Sequence, residues 1–406
     1  MRTRFVNLHI PAGDNETVAA EIVVNDGRFE EISTGESATA AGGEQWINLG
    51  GALVLPGCID GHVHFDDPGF TQREDFASGT AAAAAGGVTC VADMPCTSLP
   101  PVVDRESLEN KLRIIDPKAH VDYLHWGGVS GNSVADLQWR KHLADLADAG
   151  IAAVKVYMLS GMDTFPDLTM AEIRAVMADA HRLGIPVAIH AEDRSIVEQL
   201  TERALERGED SPAAYAASRP SAAEASAVTA AVEACRATGA RVHIVHLASG
   251  EALDIISAAR LEDMPISAET CPHYLEFTSD DFERLGPILK TAPVVKSEAD
   301  RERLWQGLAS GELSFVATDH AAGRWPEEKQ TGSIWTDYGG VPGVELMLPY
   351  LYSEGFGKGR ITLQRLTEIT ASEPARFFGI DHRKGHLRPG CDADFVAFDP
   401  DVNWTV

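Results

Sequence analysis

Eight short apolar runs alternate with helix-forming stretches along the middle of this 406-residue chain, and no other feature restricts its fold as strongly. The runs are Val54–Asp60, Val88–Met94, His120–His125, Ala152–Met158, Pro186–His190, Val242–Leu247, Pro265–Thr270 and Leu313–Asp319. The segments between them are Ala-rich or amphipathic, as helices are. Eight strand–helix units predict an α/β protein built on a (β/α)8 TIM barrel. A doubly wound open sheet is the competing fold, but no Gly-rich phosphate-binding sequence follows the first strand.

The two ends of the chain carry a different pattern, with the two-residue period of exposed strands. Phe5–Ile10 and Val18–Val24 precede an Asn-Asp-Gly turn at residues 25–27, and Ala393–Phe398 repeats the alternation near the C-terminus. We therefore predict a small β-sandwich domain formed by both termini, residues 1–55 plus 380–406. The barrel would then occupy residues 56–379.

Charge and cysteine content limit the partners of this chain. The formal net charge is −27, which disfavours binding to nucleic acid or to an anionic membrane. The N-terminal segment lacks the apolar core of a signal peptide. The six cysteines form no Cys-x-x-Cys pair and are typical of buried thiols in a reducing compartment. We expect a cytoplasmic protein with a small-molecule ligand.

Polar residues stand at the predicted carboxyl ends of several strands, where barrels of this kind carry their active sites. In Asp60-Gly-His62-Val-His64 the strand period puts both imidazoles on one face, within reach of one cation. Reactive or metal-binding groups recur at the ends of four further strands: Lys155, His190, His246 and Asp319. Each residue alone fits a structural role, but their recurrence in register favours a metal site.

Lys155 is the informative member, because an ammonium group is a hydrogen-bond donor only and binds no cation. Burial in an apolar strand lowers the pKa of a lysine and favours the neutral, nucleophilic amine. Such an amine can add carbon dioxide and form a carbamate, an anionic ligand with two oxygens that can bridge two metals.

Several motifs together resemble the cyclic amidohydrolases, the group of the amidohydrolase superfamily with hydantoinase (dihydropyrimidinase), allantoinase and dihydroorotase. The matching segments run nearly the full length of the chain: Asp60-Gly-His62-Val-His64, Lys155-Val-Tyr157, His190-Ala-Glu-Asp193, His246-Leu-Ala-Ser249, Glu269-Thr-Cys-Pro-His-Tyr-Leu275 and Thr318-Asp319-His320.

This resemblance implies a metal-dependent hydrolase of cyclic amide C–N bonds with two Zn²⁺ ions per subunit. One ion would take His62, His64 and Asp319, and the other His190 and His246. A hydroxide and an N6-carboxylysine at Lys155 would bridge the two ions, and Asp319 would be the catalytic proton carrier. We also expect a homo-oligomer, a dimer or a tetramer.

The ring is predicted to be neutral. Dihydroorotases follow the His-x-His pair with an Arg and carry Met-Pro-Asn-Thr after the second strand, and both side chains hold the substrate carboxylate. This chain has Asp66 and Cys96 at those places, and Asp66 would repel a carboxylate. Hydantoin, dihydropyrimidine and allantoin rings remain as substrates, and dihydroorotate is disfavoured.

Further substrate contacts are expected from loops. The resemblance to hydantoinases implies that backbone groups at Thr291 and at Tyr338, Gly339 and Gly340 hold the ring amide. His320 lies next to Asp319 and is expected either to contact substrate or to support the ligands.

Two other functions are compatible with a barrel of this family. A catalytically inactive scaffold would have lost metal ligands, whereas all six are present here. A mononuclear deaminase of the same superfamily would not need Lys155. Metal analysis separates the three functions, since they require two ions, none and one ion per chain.

Overall fold

The computed structural model describes residues 2–35, 44–400 and 402 of the chain. Its strands are β1 Arg2–Pro11, β2 Thr17–Asn25, β3 Arg28–Thr34, β4 Gln45–Pro56, β5 Cys58–His64, β6 Val88–Asp93, β7 Asp122–Gly128, β8 Ala153–Tyr157, β9 Val187–His190, β10 Val242–Ile244, β11 Ile266–Thr270, β12 Phe315–Val316, β13 His320–Ala321 and β14 Phe395–Phe398. Two sheets, of nine and five strands, contain all of them.

The larger sheet is a barrel of parallel strands. Strands β5 to β12 are hydrogen-bonded in sequence order, and β13 pairs with β5. Strands β12 and β13 belong to one chain segment, which pairs with β11 through its first part and with β5 through its second. This segment closes the sheet, and the predicted (β/α)8 class is confirmed.

Two predicted runs are divided in the structure. Val54–Asp60 divides at Gly57, because the residues before it belong to β4 and those after it to β5. A Cβ atom at Gly57 would lie 2.2 Å from Oγ1 of Thr89, so only glycine lets the chain pass there. The last run is interrupted between β12 and β13, where Asp319 has a φ of 49° that no strand accommodates.

Both ends of the chain build the smaller sheet, in the order β14-β4-β1-β2-β3. The β2–β3 hairpin turns at Asp26 and Gly27, whose φ values of 50° and 76° are those of a type I′ turn. Residues 1, 36–43, 401 and 403–406 of the predicted small domain lie outside the described residues. The division of the domains after residues 55 and 379 stays a prediction.

Helices follow most barrel strands: α1 Phe76–Ala85, α2 Arg105–Ile115, α3 Gly131–Val134, α4 Trp139–Asp148, α5 Met170–Leu183, α6 Arg194–Glu206, α7 Pro212–Ser218, α8 Ser221–Thr238, α9 Gly250–Leu261, α10 Pro272–Glu276, α11 Ser279–Leu285, α12 Glu298–Ser310, α13 Met347–Tyr350, α14 Leu363–Thr367 and α15 Glu373–Phe377. Turns of 3-10 or π helix lie at Asp116–Lys118, Gly286–Leu289, Val344–Leu346, Leu351–Phe356 and Glu368–Ser372. Among the described residues, no helix combines the length and apolar character of a membrane span.

Helix α5 shows how local sequence sets these elements. Thr169 and Glu172 form a reciprocal capping box at its start, and Gly184 ends it with a φ of 74°. Its buried apolar residues recur at helical spacing and face the core: Ile173, Val176, Met177 and Ala180. Such helices pack against the outer wall of the barrel. They do not cover the carboxyl ends of the strands, where a site can form.

Candidate metal centre

His62, His64 and Asp319 converge at the carboxyl ends of β5 and of the interrupted last strand. The Nε2 atoms of the two histidines are 3.1 Å apart, and Oδ1 of Asp319 lies 3.1 and 3.0 Å from them. One ligand atom from each residue fits within 4.8 Å of the others. The left-handed backbone of Asp319, rare for a residue with a side chain, is the kind of strain that clusters at functional sites.

A second histidine pair lies directly beside this group. Nδ1 of His190 is 3.0 Å from Nε2 of His246, and the rings of His246 and His62 are 5.4 Å apart between centroids. His190 ends β9, whereas His246 lies two residues beyond β10 with a φ of 41°. The structure thus brings together four of the predicted strand-end imidazoles.

Lys155 lies in β8 and is fully buried. Its Nζ has no hydrogen-bond partner among the described residues, and it stands 4.8 Å from the ring centroid of Tyr157. Burial lowers the pKa of Lys155 to about 8, against the opposing charges of Cys96 and Asp319. A buried amine without a hydrogen-bond partner destabilises the fold. Its burial and lowered pKa are consistent with conversion to a carbamate.

The donor set fits transition-metal ions. Imidazole nitrogens and a carboxylate oxygen are the ligands that zinc takes in catalytic sites. Two ligands held 2.0–2.1 Å from one tetrahedral ion are separated by roughly 3.3 Å. The paired nitrogen atoms here are separated by 3.0 and 3.1 Å, so the side chains are already arranged for that spacing.

One buried carboxylate orients His62. Oε1 of Glu269 accepts a hydrogen bond from Nδ1 of His62 at 2.6 Å, and its other oxygen accepts from Nε2 of His243 at 3.1 Å. Burial opposes ionisation of Glu269, but its interactions with His62 and His243 outweigh it and lower the pKa to about 2. With Nδ1 donating to Glu269, Nε2 of His62 keeps its lone pair for a ligand.

A second buried carboxylate orients His190 in the same way. Oε2 of Glu192 accepts from Nε2 of His190 at 2.8 Å and from Arg219 at 2.5 Å. Despite burial, the charge of Arg219 keeps the pKa of Glu192 well below its usual range. The sequence interpretation gave neither Glu269 nor Glu192 a role. The sequence did contain an indication of the role of Glu192, since this residue follows His190 at the two-residue spacing that places side chains on one face of a strand.

Asp60 holds the backbone next to His62 and Asp319 in place. Its carboxylate accepts hydrogen bonds from the backbone N–H groups of His62 and Thr318, at 3.2 and 3.0 Å, and from the hydroxyl of Thr318. Asp60 therefore ties the first barrel strand to the residue before Asp319, across the point where the barrel closes.

The predicted substrate loops lie against each other. The N–H of Gly340 donates to the carbonyl of Lys290 at 2.9 Å, beside Thr291. A Cβ atom at Gly340 would lie 2.8 Å from Cβ of Ala321, so this turn packs closely on β13.

Among the predicted contact residues, Oγ1 of Thr291 is buried without a partner among the described residues. Burial raises the pKa of Tyr338, and the nearby charges of Asp66 and Asp319 add to this effect. Gly339 is exposed, with open space where a Cβ atom would be.

Asp66 and Cys96 flank His64. Sγ of Cys96 is 3.6 Å from Nδ1 of His64 and 3.2 Å from the hydroxyl of Tyr157. Asp66 is completely buried, and its carboxylate oxygens have no hydrogen-bond partner in the described part of the chain. Burial raises the pKa of Asp66 to about 7, although Arg73, 3.9 Å away, opposes this.

His320 is engaged on both sides of its ring. Nδ1 accepts from the N–H groups of Gly343 and Val344, at 3.0 and 3.1 Å, and Nε2 is 2.8 Å from Glu74. These contacts fix the loop that follows the barrel and leave neither ring nitrogen free. Of the two roles expected for His320, the contacts favour support of the site.

Comparison with known proteins gives one family and consistent relatives. The model of the amidohydrolase family matches residues 53–405. The chain is 38% identical to the allantoinase of Rubrobacter xylanophilus over 385 residues, which are 94% of this chain and 82% of that enzyme. It is 37% identical to the allantoinase of Deinococcus radiodurans over 381 residues, 93% of this chain and 82% of that enzyme.

Solved structures show the same fold. The L-hydantoinase (dihydropyrimidinase) from Arthrobacter aurescens superposes with a TM-score of 0.93 at 30% identity, covering 100% of this chain and 88% of that one. The dihydropyrimidinase from Brevibacillus agri superposes with a TM-score of 0.90, also at 30% identity and with the same coverage.

Proposed function

This chain belongs to the amidohydrolase family and is a metal-dependent hydrolase of cyclic amides, and we propose that its substrate is allantoin. The observation that carries the choice of ring is the 38% identity to an allantoinase over 94% of the chain. Allantoin is a neutral hydantoin ring with a ureido substituent, and hydrolysis of one ring amide yields an open-chain acid. Unsubstituted hydantoin and dihydropyrimidine rings are the alternative, supported by the TM-score of 0.93 to a hydantoinase.

The family implies a binuclear metal site, and we propose that the converging residues hold two zinc ions. His62, His64 and Asp319 would hold one ion, and His190 and His246 the other. A carbamate on Lys155 would bridge them, which accounts for a buried Nζ without a partner among the described residues. When bound, two such ions lower the pKa of water to near 7 and polarise the scissile carbonyl.

Asp319 is the proposed proton carrier. Its Oδ1 lies within 3.1 Å of Nε2 of both His62 and His64, and the side chain is 16% exposed. The carboxylate would take the proton of the attacking water as the C–O bond forms. It would return that proton to the ring nitrogen as the C–N bond breaks. Burial opposes ionisation of Asp319, but its interactions with His62 and His64 outweigh it and keep the pKa of Asp319 well below its usual range.

The loops at Thr291 and Tyr338–Gly340 are the proposed cradle of the ring amide. The buried hydroxyl of Thr291 has no partner among the described residues, and Gly339 has space for close approach of a ligand to the backbone. Asp66 would exclude rings that bear a carboxylate, because a buried carboxyl group there offers no counter-charge. We propose that Cys96 lines the pocket beside His64 and that His320 supports the loop after Asp319.

A substrate panel tests the choice of ring. With zinc and bicarbonate supplied, we expect hydrolysis of allantoin to exceed that of hydantoin and dihydrouracil. Hydrolysis of dihydroorotate should be weaker than that of allantoin by about a hundredfold or more, since an unpaired carboxylate in a dry site costs several kcal/mol. The measurement is kcat/KM for each ring. A preference for dihydroorotate would contradict the role of Asp66, and hydrolysis of none would contradict the function.

Replacement of Glu269 by glutamine tests the orientation of His62. We expect the affinity for the first zinc ion to fall about 10–100-fold, because carboxylates behind ligating histidines contribute that much to metal binding. Titration of the apo-protein against a chelator of known affinity measures it. Glu251→Gln, at an exposed position in α9, is the matched control and should leave the affinity unchanged. Equal affinities of the Glu269→Gln variant and the wild type would refute the proposed orientation.

Two broader proposals follow from the sequence. All six cysteines are buried free thiols, which supports a reducing cytoplasmic location. A homo-oligomer, a dimer or a tetramer, stays a prediction that sedimentation measurements would check. Metal analysis of the purified chain should give two ions per chain; one ion would favour a mononuclear deaminase, and none an inactive scaffold.

A further inference from the structure

Two lysines that no step of the hydrolysis uses are buried beside the proposed substrate cradle. Lys290 is 5% exposed and Lys329 is 4% exposed. Lys290 lies in the segment 286–291, which contains Thr291, and Lys329 lies in the segment 324–340, which contains Tyr338 and both glycines. Burying an ammonium group destabilises the fold unless the group makes hydrogen bonds. The hydrogen-bond acceptors of the two lysines therefore show which backbone segments they stabilise.

Lys290 reaches from its own segment to backbone carbonyls of the other. Its Nζ donates to the carbonyl of Asp337 at 2.5 Å and lies 3.5 Å from that of Trp335. The ammonium also stands 4.7 Å from the ring of Tyr215, whose hydroxyl donates to the carbonyl of Thr291 at 3.2 Å. Lys290 therefore fixes both the neighbouring segment and the tyrosine that holds Thr291.

Lys329 makes the reverse connection. Its Nζ donates to the carbonyl of Pro287, in the first segment, at 3.2 Å and also to the carbonyl of Gly340. The N–H of Gly340 donates in turn to the carbonyl of Lys290. Each lysine thus supplies a charged donor to backbone carbonyls of the other segment, and the carbonyl of Pro287 also accepts from the backbone N–H of Lys290 at 3.1 Å.

From these contacts we infer that Lys290 and Lys329 form a reciprocal clasp, which sets the separation of Thr291 from Gly339 and Gly340. The inference rests on the proposed function, in which these backbone groups hold the ring amide. The two lysines are then positioning residues that determine substrate affinity. They touch neither the ring nor the metal ligands, so their loss should affect substrate binding more than the chemical step.

The test compares Lys290→Met and Lys329→Met with the wild type. We expect KM for allantoin to rise about 10–100-fold, the factor for a lost hydrogen bond to a charged group, with kcat within about threefold and zinc content unchanged. Lys384→Met is the matched control. Lys384 is also buried, but it binds Asp122 and Asp394 at the opposite end of the barrel, so its loss should lower the melting temperature without changing KM.

The outcomes separate the clasp from the proposed function. An unchanged KM in both folded variants, or a fall in kcat alone, overturns the clasp. If the wild type opens none of the rings, the proposed function fails, and amide hydrogen exchange then decides the clasp. Exchange in residues 324–340 should be faster in both methionine variants and not in Lys384→Met, and equal rates overturn the inference. Should a methionine variant not fold, Lys329→Gln, whose side-chain amide still donates hydrogen bonds, should give an intermediate KM.

Discussion

Replacing Lys155 by alanine should abolish the binuclear centre and reduce kcat by at least about 10³-fold, since metal activation supplies several kcal/mol of transition-state stabilisation. The reason is local. Within residues 2–35, 44–400 and 402, Lys155 is the amine that the barrel places beside the converging histidines and Asp319, fully buried and without a hydrogen-bond partner. Its carbamate would be the anionic group shared by both ions. Zinc content per chain and kcat for allantoin measure the effect.

Chemical rescue gives this prediction its specificity. A short carboxylic acid such as acetate or propionate can occupy the space of the lost side chain and supply two oxygens, so partial recovery of zinc content and activity is expected. Lys358→Ala, which removes an exposed lysine paired with Glu354, is the control and should behave as the wild type. Full activity of Lys155→Ala without added acid would rule out the carbamate.

Replacing Asp319 by asparagine should reduce kcat about 10²–10⁴-fold, the range for loss of a positioned proton carrier. An amide keeps an oxygen near His62 and His64 but accepts no proton from water at neutral pH. We therefore expect zinc to be largely retained while kcat falls, and KM to change little. Steady-state kinetics with parallel zinc analysis distinguish this from simple loss of the metal.

Asp263→Asn is a matched control for that variant. Asp263 also has a left-handed backbone, with a φ of 58°, but it is exposed after α9. Asparagine tolerates this backbone conformation well, so neither substitution should disturb the fold through the backbone. A parallel loss of activity in both variants would contradict the role of Asp319. So would a fully active Asp319→Asn.

The strand-end residues were predictable because strand geometry is local. His62 and His64 share a face through the two-residue period alone, and His190 ends a predicted strand that the structure retains as β9. His246 and Asp319 were predicted at strand ends but lie beyond the regular strands, with left-handed backbones. The order of apolar and polar residues identifies such positions, yet the φ that turns each side chain toward the centre depends on neighbouring strands.

The groups that orient the converging histidines could not be assigned in the same way. Glu269 lies in the seventh barrel strand and contacts His62 in the first, 207 positions earlier. A buried carboxylate in a strand has the same local pattern whether it orients a histidine, pairs with a lysine or caps a loop. Only the closed barrel brings these strands together.

The chain's own sequence determined the barrel, its order of strands and the residue types at the strand ends. Apolar periodicity and the chemistry of His, Lys and Asp act over a few residues, and they hold in any environment. The tertiary structure alone decided which partners those residues meet: the closure through β12 and β13, the carboxylates behind His62 and His190, and the crossed contacts of Lys290 and Lys329. These are contacts between segments far apart in the chain, whose energies depend on distances and burial that arise only when the whole barrel has packed.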